Sequence, residues 1–145
     1  MKDIENFLSS EEQELIAQKI DEIEALTDAE LRVHVESHCK VDPVKRAAKV
    51  FHELKMDKTK ERNGVLFYVA VKDHKLAVWG DEGIDNELGQ SFWEEEIEIL
   101  VRNFKEAKYS QGLILAIEKI ADKLKVLYPF TGHKNELCNE ISLGE

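Results

Sequence analysis

The stretch from Gly64 to Val71, "GVLFYVAV", constrains the fold more than any other, because it is apolar at odd and even positions alike. A strand with one wet face alternates, whereas a short unbroken apolar run suits a central strand covered by helices on both sides. "KDHK" then reads as a tight reversal into "LAVWG", residues 76–80, a hairpin partner. Upstream, "LRVHVESH" alternates strictly. Leu31, Val33, Val35 and Ser37 point one way and Arg32, His34, Glu36 and His38 the other, which predicts a strand with one wet face near a sheet edge.

Between these strands lies "DPVKRAAKVFHELKM", with Asp42 placed as an N-cap, Pro43 at the first helical position, and Val44, Ala47, Ala48, Phe51 and Leu54 as a buried stripe. Strand, helix and strand make a crossover unit. The first two strands are therefore expected to be parallel, with a right-handed connection, and the third antiparallel. Ser9 and Ser10 before "EEQ" have capping-box chemistry, opening a helix over residues 11–26 with Ile16, Ile20 and Ile23 on one stripe. Trp93, Ile97, Leu100, Val101 and Phe104 mark another helix. A last one is expected over residues 110–128, carrying Leu113, Ile117, Ile120, Leu124 and Leu127 and stopped by Pro129. The class is α/β, a small mixed sheet of three or four strands flanked by about four helices. At 145 residues and 43% hydrophobic content, one domain is expected over 1–145, with its core at about 10–128 and a tail at 129–145 that wraps the surface or stays partly unordered.

A formal charge of −10 argues against nucleic acid or anionic lipid as partner, since both require clustered lysine and arginine. "MKDIENFLSSEEQELIAQKI" has no signal-peptide core, and no run approaches the roughly 18 apolar residues of a membrane helix, so a cytoplasmic location is expected. Cys39 and Cys138 read as idle thiols in a reducing compartment.

Residues 79–99 hold eight acidic side chains, and no lysine or arginine occurs from residue 76 to residue 101. Parallel strands put their starts together, and an antiparallel third strand brings its end to the same edge. The loops "TDAE", "KTKERN" and "GDEGID" should then converge, with Asp28, Glu30, Glu61, Asp81, Glu82 and Asp85. Gly80 and Gly83 let the backbone bend between them. Hard oxygen ligands suit Ca²⁺ or Mg²⁺, and crowded carboxylates are relieved by a divalent ion. The spacing does not match an EF-hand loop. The bland alternative has Asp85 capping the next helix and Glu94, Glu95 and Glu98 on its solvated face.

Other constellations are weaker. "HCKVDPVKR" lacks the five-residue spacing and glycine of a cysteine-phosphatase loop, and Asp42 would repel a phosphate. His34 and His38 share a strand face but stand about 13 Å apart and cannot clasp one ion. His133 and Cys138 could meet zinc only with ligands from elsewhere.

Taken together, "ELRVHVES", "ERNGVLFYVAVKDHKLAVWGDEGI" and "FKEAKYSQGLILAIEKIADKL" resemble the TPM domain, the family named for a thylakoid lumen protein, a photosystem II repair factor and a nematode receptor regulator. Asn63-Gly64-Val65-Leu66, the hairpin from Asp73 to Lys75, the loop from Gly80 to Gly83, and Tyr109 with Gly112 carry the likeness. The resemblance implies an α/β/α sandwich and a divalent-ion site near Gly80, Asp81, Glu82, Gly83, Ile84 and Asp85; some plant relatives are described as acid phosphatases. Arg62 departs from the aspartate many members have before Asn63. The reading reached is a Ca²⁺- or Mg²⁺-binding module, binding or regulatory in role, with Glu30, Glu61, Asp81, Glu82 and Asp85 as metal ligands. The alternatives are a metal-dependent acid phosphatase-like hydrolase, with Glu61 or Asp85 as base, and a metal-free interaction domain for a basic protein partner.

Overall fold

The computed structural model describes residues 2–132 and 141–144. Its elements in chain order are α1 (Lys2–Phe7), α2 (Ser10–Glu24), β1 (Leu31–Glu36), α3 (Pro43–Glu53), β2 (Val65–Ala70), β3 (Lys75–Gly80), α4 (Glu82–Leu88), α5 (Gln90–Lys105), α6 (Tyr109–Leu127) and β4 (Ser142–Leu143). The sheet order is β3-β2-β1-β4. β1 runs parallel to β2 and to β4, while β2 and β3 are antiparallel, so the expected crossover and hairpin both form. All six residues of β2 are buried, as a strand covered on both faces requires.

Two apolar clusters fix three layers. On one face α3 lays Ala47, Val50 and Phe51 over Leu66, Tyr68, Ala70 and Ala77. On the other, α2, α5 and α6 bring Ile16, Ile20, Leu100, Leu113, Ile117 and Ile120 onto Val33, Val35, Val65, Phe67 and Val69. This is the α/β/α sandwich, with a single helix on one side. Local chemistry starts the helices where the sequence indicates. Ser9 accepts from the Glu12 amide at 3.1 Å while the Glu12 carboxylate accepts from the Ser9 amide at 2.9 Å. Asp42 caps α3 through the Val44 amide with Pro43 inside the first turn.

Three expectations need correction. β1 is not an edge strand with a wet face: β4 covers its outer side, and Arg32 alone among its residues is not buried. The polar side of β1 lies beneath α3, where Arg46 and Tyr68 satisfy it. Residues 82–88 form the helix α4 where an acidic loop was expected, and its cap is Asp81 instead of Asp85. Finally, α1 precedes the first expected helix and buries Ile4 and Phe7. The tail does return to the sheet at 141–144; His133 and Cys138 lie outside the described residues. Among the described residues no helix is long and apolar enough to cross a membrane.

Candidate metal centre at the loop edge

The three expected loops do meet at one sheet edge, and backbone hydrogen bonds join them. The Val65 amide donates to the Glu30 carbonyl at 2.8 Å, the Asp81 amide to the Gly64 carbonyl at 3.0 Å, and the Ile84 amide to the Arg62 carbonyl at 3.2 Å. Loop 27–30 is anchored from behind: Thr27 pairs with Pro129, and the Asp28 amide donates to the Tyr128 carbonyl at 2.9 Å. Gly83 is required here by close approach. A Cβ on it would stand 2.2 Å from the Glu61 carbonyl oxygen and 2.6 Å from that of Arg62, so only glycine lets α4 seat on the 61–62 backbone.

The acidic side chains take different environments. Asp81 is buried, caps α4 through the Glu82 amide at 2.8 Å, and holds the Arg62 guanidinium in a two-pronged pair at 2.7 and 2.8 Å. Glu82 is exposed and reaches the same guanidinium at 3.3 Å. Asp85, also exposed, accepts from the Trp93 indole at 2.8 Å. Glu61 is exposed at the loop tip, and its charge together with that of Glu87 adds to burial in raising the Tyr128 hydroxyl above its ordinary pKa. Glu30 is 1% exposed at the start of β1. Thus Asp81 and Glu82 share one cation, Glu61 lies behind Gly83, and Asp85 turns toward α5. Among the described residues, no three His, Cys, Asp or Glu side chains are grouped to hold a metal ion.

Two residues outside the expected ligand set change the chemistry of this edge. Arg62, held at φ +51°, is a cation supplied by the chain itself to the carboxylate at the centre of the loops. Asn63 is 1% exposed, and its side-chain oxygen has no hydrogen-bond partner among the described residues. A buried amide oxygen left without a donor is costly, and a bound cation or water relieves it. The acids drew attention by number, whereas Asn63 stood out as the first residue of the strand-entry motif and not as a ligand. The polar side chains at this edge are carboxylates and one amide, and oxygen donors of this kind suit hard cations better than softer metals.

A second polar cluster occupies the opposite end of β1 and β2. Glu36, 3% exposed, accepts from Arg46 at 2.8 and 2.9 Å, from His34 at 3.0 Å, and from the Tyr68 hydroxyl. Burial alone would raise its pKa, but these donors win and hold it at about 2. Burial lowers His34, whose other ring nitrogen meets Ser142 at 2.9 Å. His38 instead pairs with Asp73 at 3.2 Å, so the two histidines go separate ways, as their spacing requires. Cys39 is a buried thiol bonded to the Val41 carbonyl.

The whole architecture has counterparts among solved structures. The BA42 protein of the psychrophilic bacterium Bizionia argentinensis, solved by NMR, is 41% identical, with 99% of this chain and 100% of that one covered and a TM-score of 0.88. The N-terminal domain of a P. gingivalis protein matches at a TM-score of 0.68 over 88% of this chain and 83% of its own; at 16% identity it speaks for the fold alone. No curated protein matches. The TPM domain profile matches residues 1–123, and the chain belongs to the TPM domain family.

Proposed function

We propose that this protein is a divalent-cation-binding module, taking Ca²⁺ or Mg²⁺ at the loop edge to order residues 27–30, 58–63 and 80–86 for a partner. The proposed ligands are drawn from Glu30, Glu61, Asp81, Glu82 and Asp85, joined by the Asn63 amide oxygen. The supporting observation is that Asn63 oxygen, buried and without a donor among the described residues, in the loop whose backbone meets the other two. Arg62 makes the site conditional, because an ion that takes Asp81 must displace a guanidinium already seated on both its oxygens. Two carboxylates facing one arginine leave an excess of negative charge, so a divalent ion gains more than the single charge it replaces.

Calorimetric titration of the chelator-treated protein with CaCl₂ and with MgCl₂ is the test. Saturable heat from either ion, lost in the Asp81→Asn variant, supports the reading. No heat from either ion sinks it.

A further inference from the structure

Among the described residues β3 is an edge strand, and its sheet pairing is to β2 alone. The ladder alternates from the Asp81 amide bonded to Gly64, so Lys75, Ala77 and Trp79 exchange hydrogen bonds with Tyr68 and its neighbours on β2. The amides and carbonyls of Leu76, Val78 and Gly80 then face outward. Natural proteins usually blunt such an edge with central charges, proline or a bulge. Here the four middle residues, Leu76, Ala77, Val78 and Trp79, carry no charge at all.

Helices flank this edge without covering it. A recess of about 640 Å³ runs beside β3, bounded by Val44 of α3 and by Trp93 and Ile97 of α5. A second, of about 660 Å³, continues past Leu76 to Val101, Phe104 and Tyr109. Leu76 lines both, so the two recesses adjoin along β3. Gly80 opens one end, where a Cβ would strike the Trp93 ring at 2.4 Å.

The groove is electrically polar. The recess wall at the Gly80 end carries Glu82, Asp85 and Glu94, with Arg62 reaching Glu82 from the loop before β2 at 3.3 Å. The recess wall at the Lys75 end carries Lys75, Lys105 and His74, while Asp73 of the same turn is held by His38 and the Cys39 amide. The Lys75 ammonium donates to the Cys39 and Val41 carbonyls, at 3.0 and 3.3 Å.

We propose that this groove binds an extended peptide segment of a partner protein by strand addition to β3. The peptide runs antiparallel to β3, with basic residues or its amino terminus at the Gly80 end and an acidic residue or carboxylate at the Lys75 end. Main-chain bonds to Leu76, Val78 and Gly80 supply affinity, and alternate apolar side chains enter the recesses against Ile97 and Val101. Val44 of α3 and Ile97 of α5 wall the recess on its two sides, a shape that favours a single strand over a second sheet carrying its own flanking helices. Asp85 and Glu82 also belong to the proposed metal ligands, but strand addition does not depend on an ion.

The test uses the whole chain and a panel of synthetic peptides with lysines at the amino end, valine or isoleucine at alternate positions and a free carboxylate. Binding is followed by amide NMR shifts in EDTA and again with CaCl₂, so failure of the metal reading stays separate. The expected result is shifts at Leu76, Val78, Gly80, Ile97 and Val101 in EDTA, with affinity falling at least about tenfold when the inward-facing peptide amides are N-methylated. Ile97→Lys should weaken binding while leaving the β1 and β2 spectrum in place. Three results would overturn the proposal: no peptide of the panel binding, binding indifferent to N-methylation, or self-association of the chain through β3.

Discussion

The two ends of the central strands solve the same problem in different ways. Each holds a buried carboxylate gripped by an arginine through two hydrogen bonds: Glu36 by Arg46 at one end, Asp81 by Arg62 at the other. Arg46 projects from α3, and Glu36 also accepts from Tyr68 and His34, so every lone pair is committed inside the fold. Arg62 projects from the loop before β2, with its side chain 40% exposed, and its carboxylate has one further donor, the Glu82 amide. The pair closed in by helix and strand is the less exposed of the two, with the Arg46 side chain 28% exposed against 40% for Arg62. Glu96 is the limiting third case, a fully buried carboxylate with no hydrogen-bond partner among the described residues. Its burial raises its pKa to about 8, with nearby Lys119 opposing the shift.

The largest effect is expected at the closed pair. Arg46→Ala leaves Glu36 buried without its main counter-charge and should cost about 3 kcal/mol of stability at neutral pH, read by urea unfolding. In the parent protein the pKa of Glu36 is depressed from 4.5 to about 2 in the folded state. The stabilisation is therefore complete above the unfolded value of 4.5 and is lost as pH falls toward 2. The variant should lose most of that acid-side slope; an unchanged slope would break the contrast between the ends.

Glu96 has the opposite sign. Its folded pKa of about 8 lies above the unfolded value of 4.5, so its burial costs nothing below 4.5 and costs progressively more as pH rises toward 8. Glu96→Met should raise stability by about 2 kcal/mol at pH 7.5 and by much less at pH 4. A gain independent of pH would mean that packing, not ionisation, governs this site.

The smallest stability effect is expected at Arg62. Arg62→Ala leaves the buried Asp81 carboxylate with the Glu82 amide as its remaining donor, and should lower the unfolding midpoint by less than Arg46→Ala does because the Arg62 side chain is 40% exposed. It should tighten Ca²⁺ or Mg²⁺ binding by about tenfold, since the resident cation no longer competes. Weaker binding in this variant would show that Arg62 supports the site instead of filling it.

What the sequence disclosed follows how local each determinant is. Val65 to Ala70 announced a covered strand because every side chain in it is apolar, and Ser9 with Glu12, or Asp42 with Pro43, signal a helix start within four residues. The convergence of three loops followed from strand directions alone. By contrast, α4 is one short helix between Asp81 and Gly89, too brief and too acidic to show a stripe. The dry polar face of β1 depended on Arg46, Tyr68 and Ser142, which lie 10, 32 and 108 residues from their partners. The same distance problem hid Arg62: its proximity to the acids could be inferred, but not its grip on both oxygens of Asp81, 19 residues away.

The central claim is that the loop edge takes a divalent ion in competition with Arg62. Its most direct test is a CaCl₂ and MgCl₂ titration of the chelator-treated protein and of Arg62→Ala, followed amide by amide. The account predicts saturable shifts confined to residues 27–30, 58–63 and 80–86, with the variant saturating at lower ion concentration. Silent loops in both proteins, or shifts spread evenly over the acidic surface of α5, would contradict it.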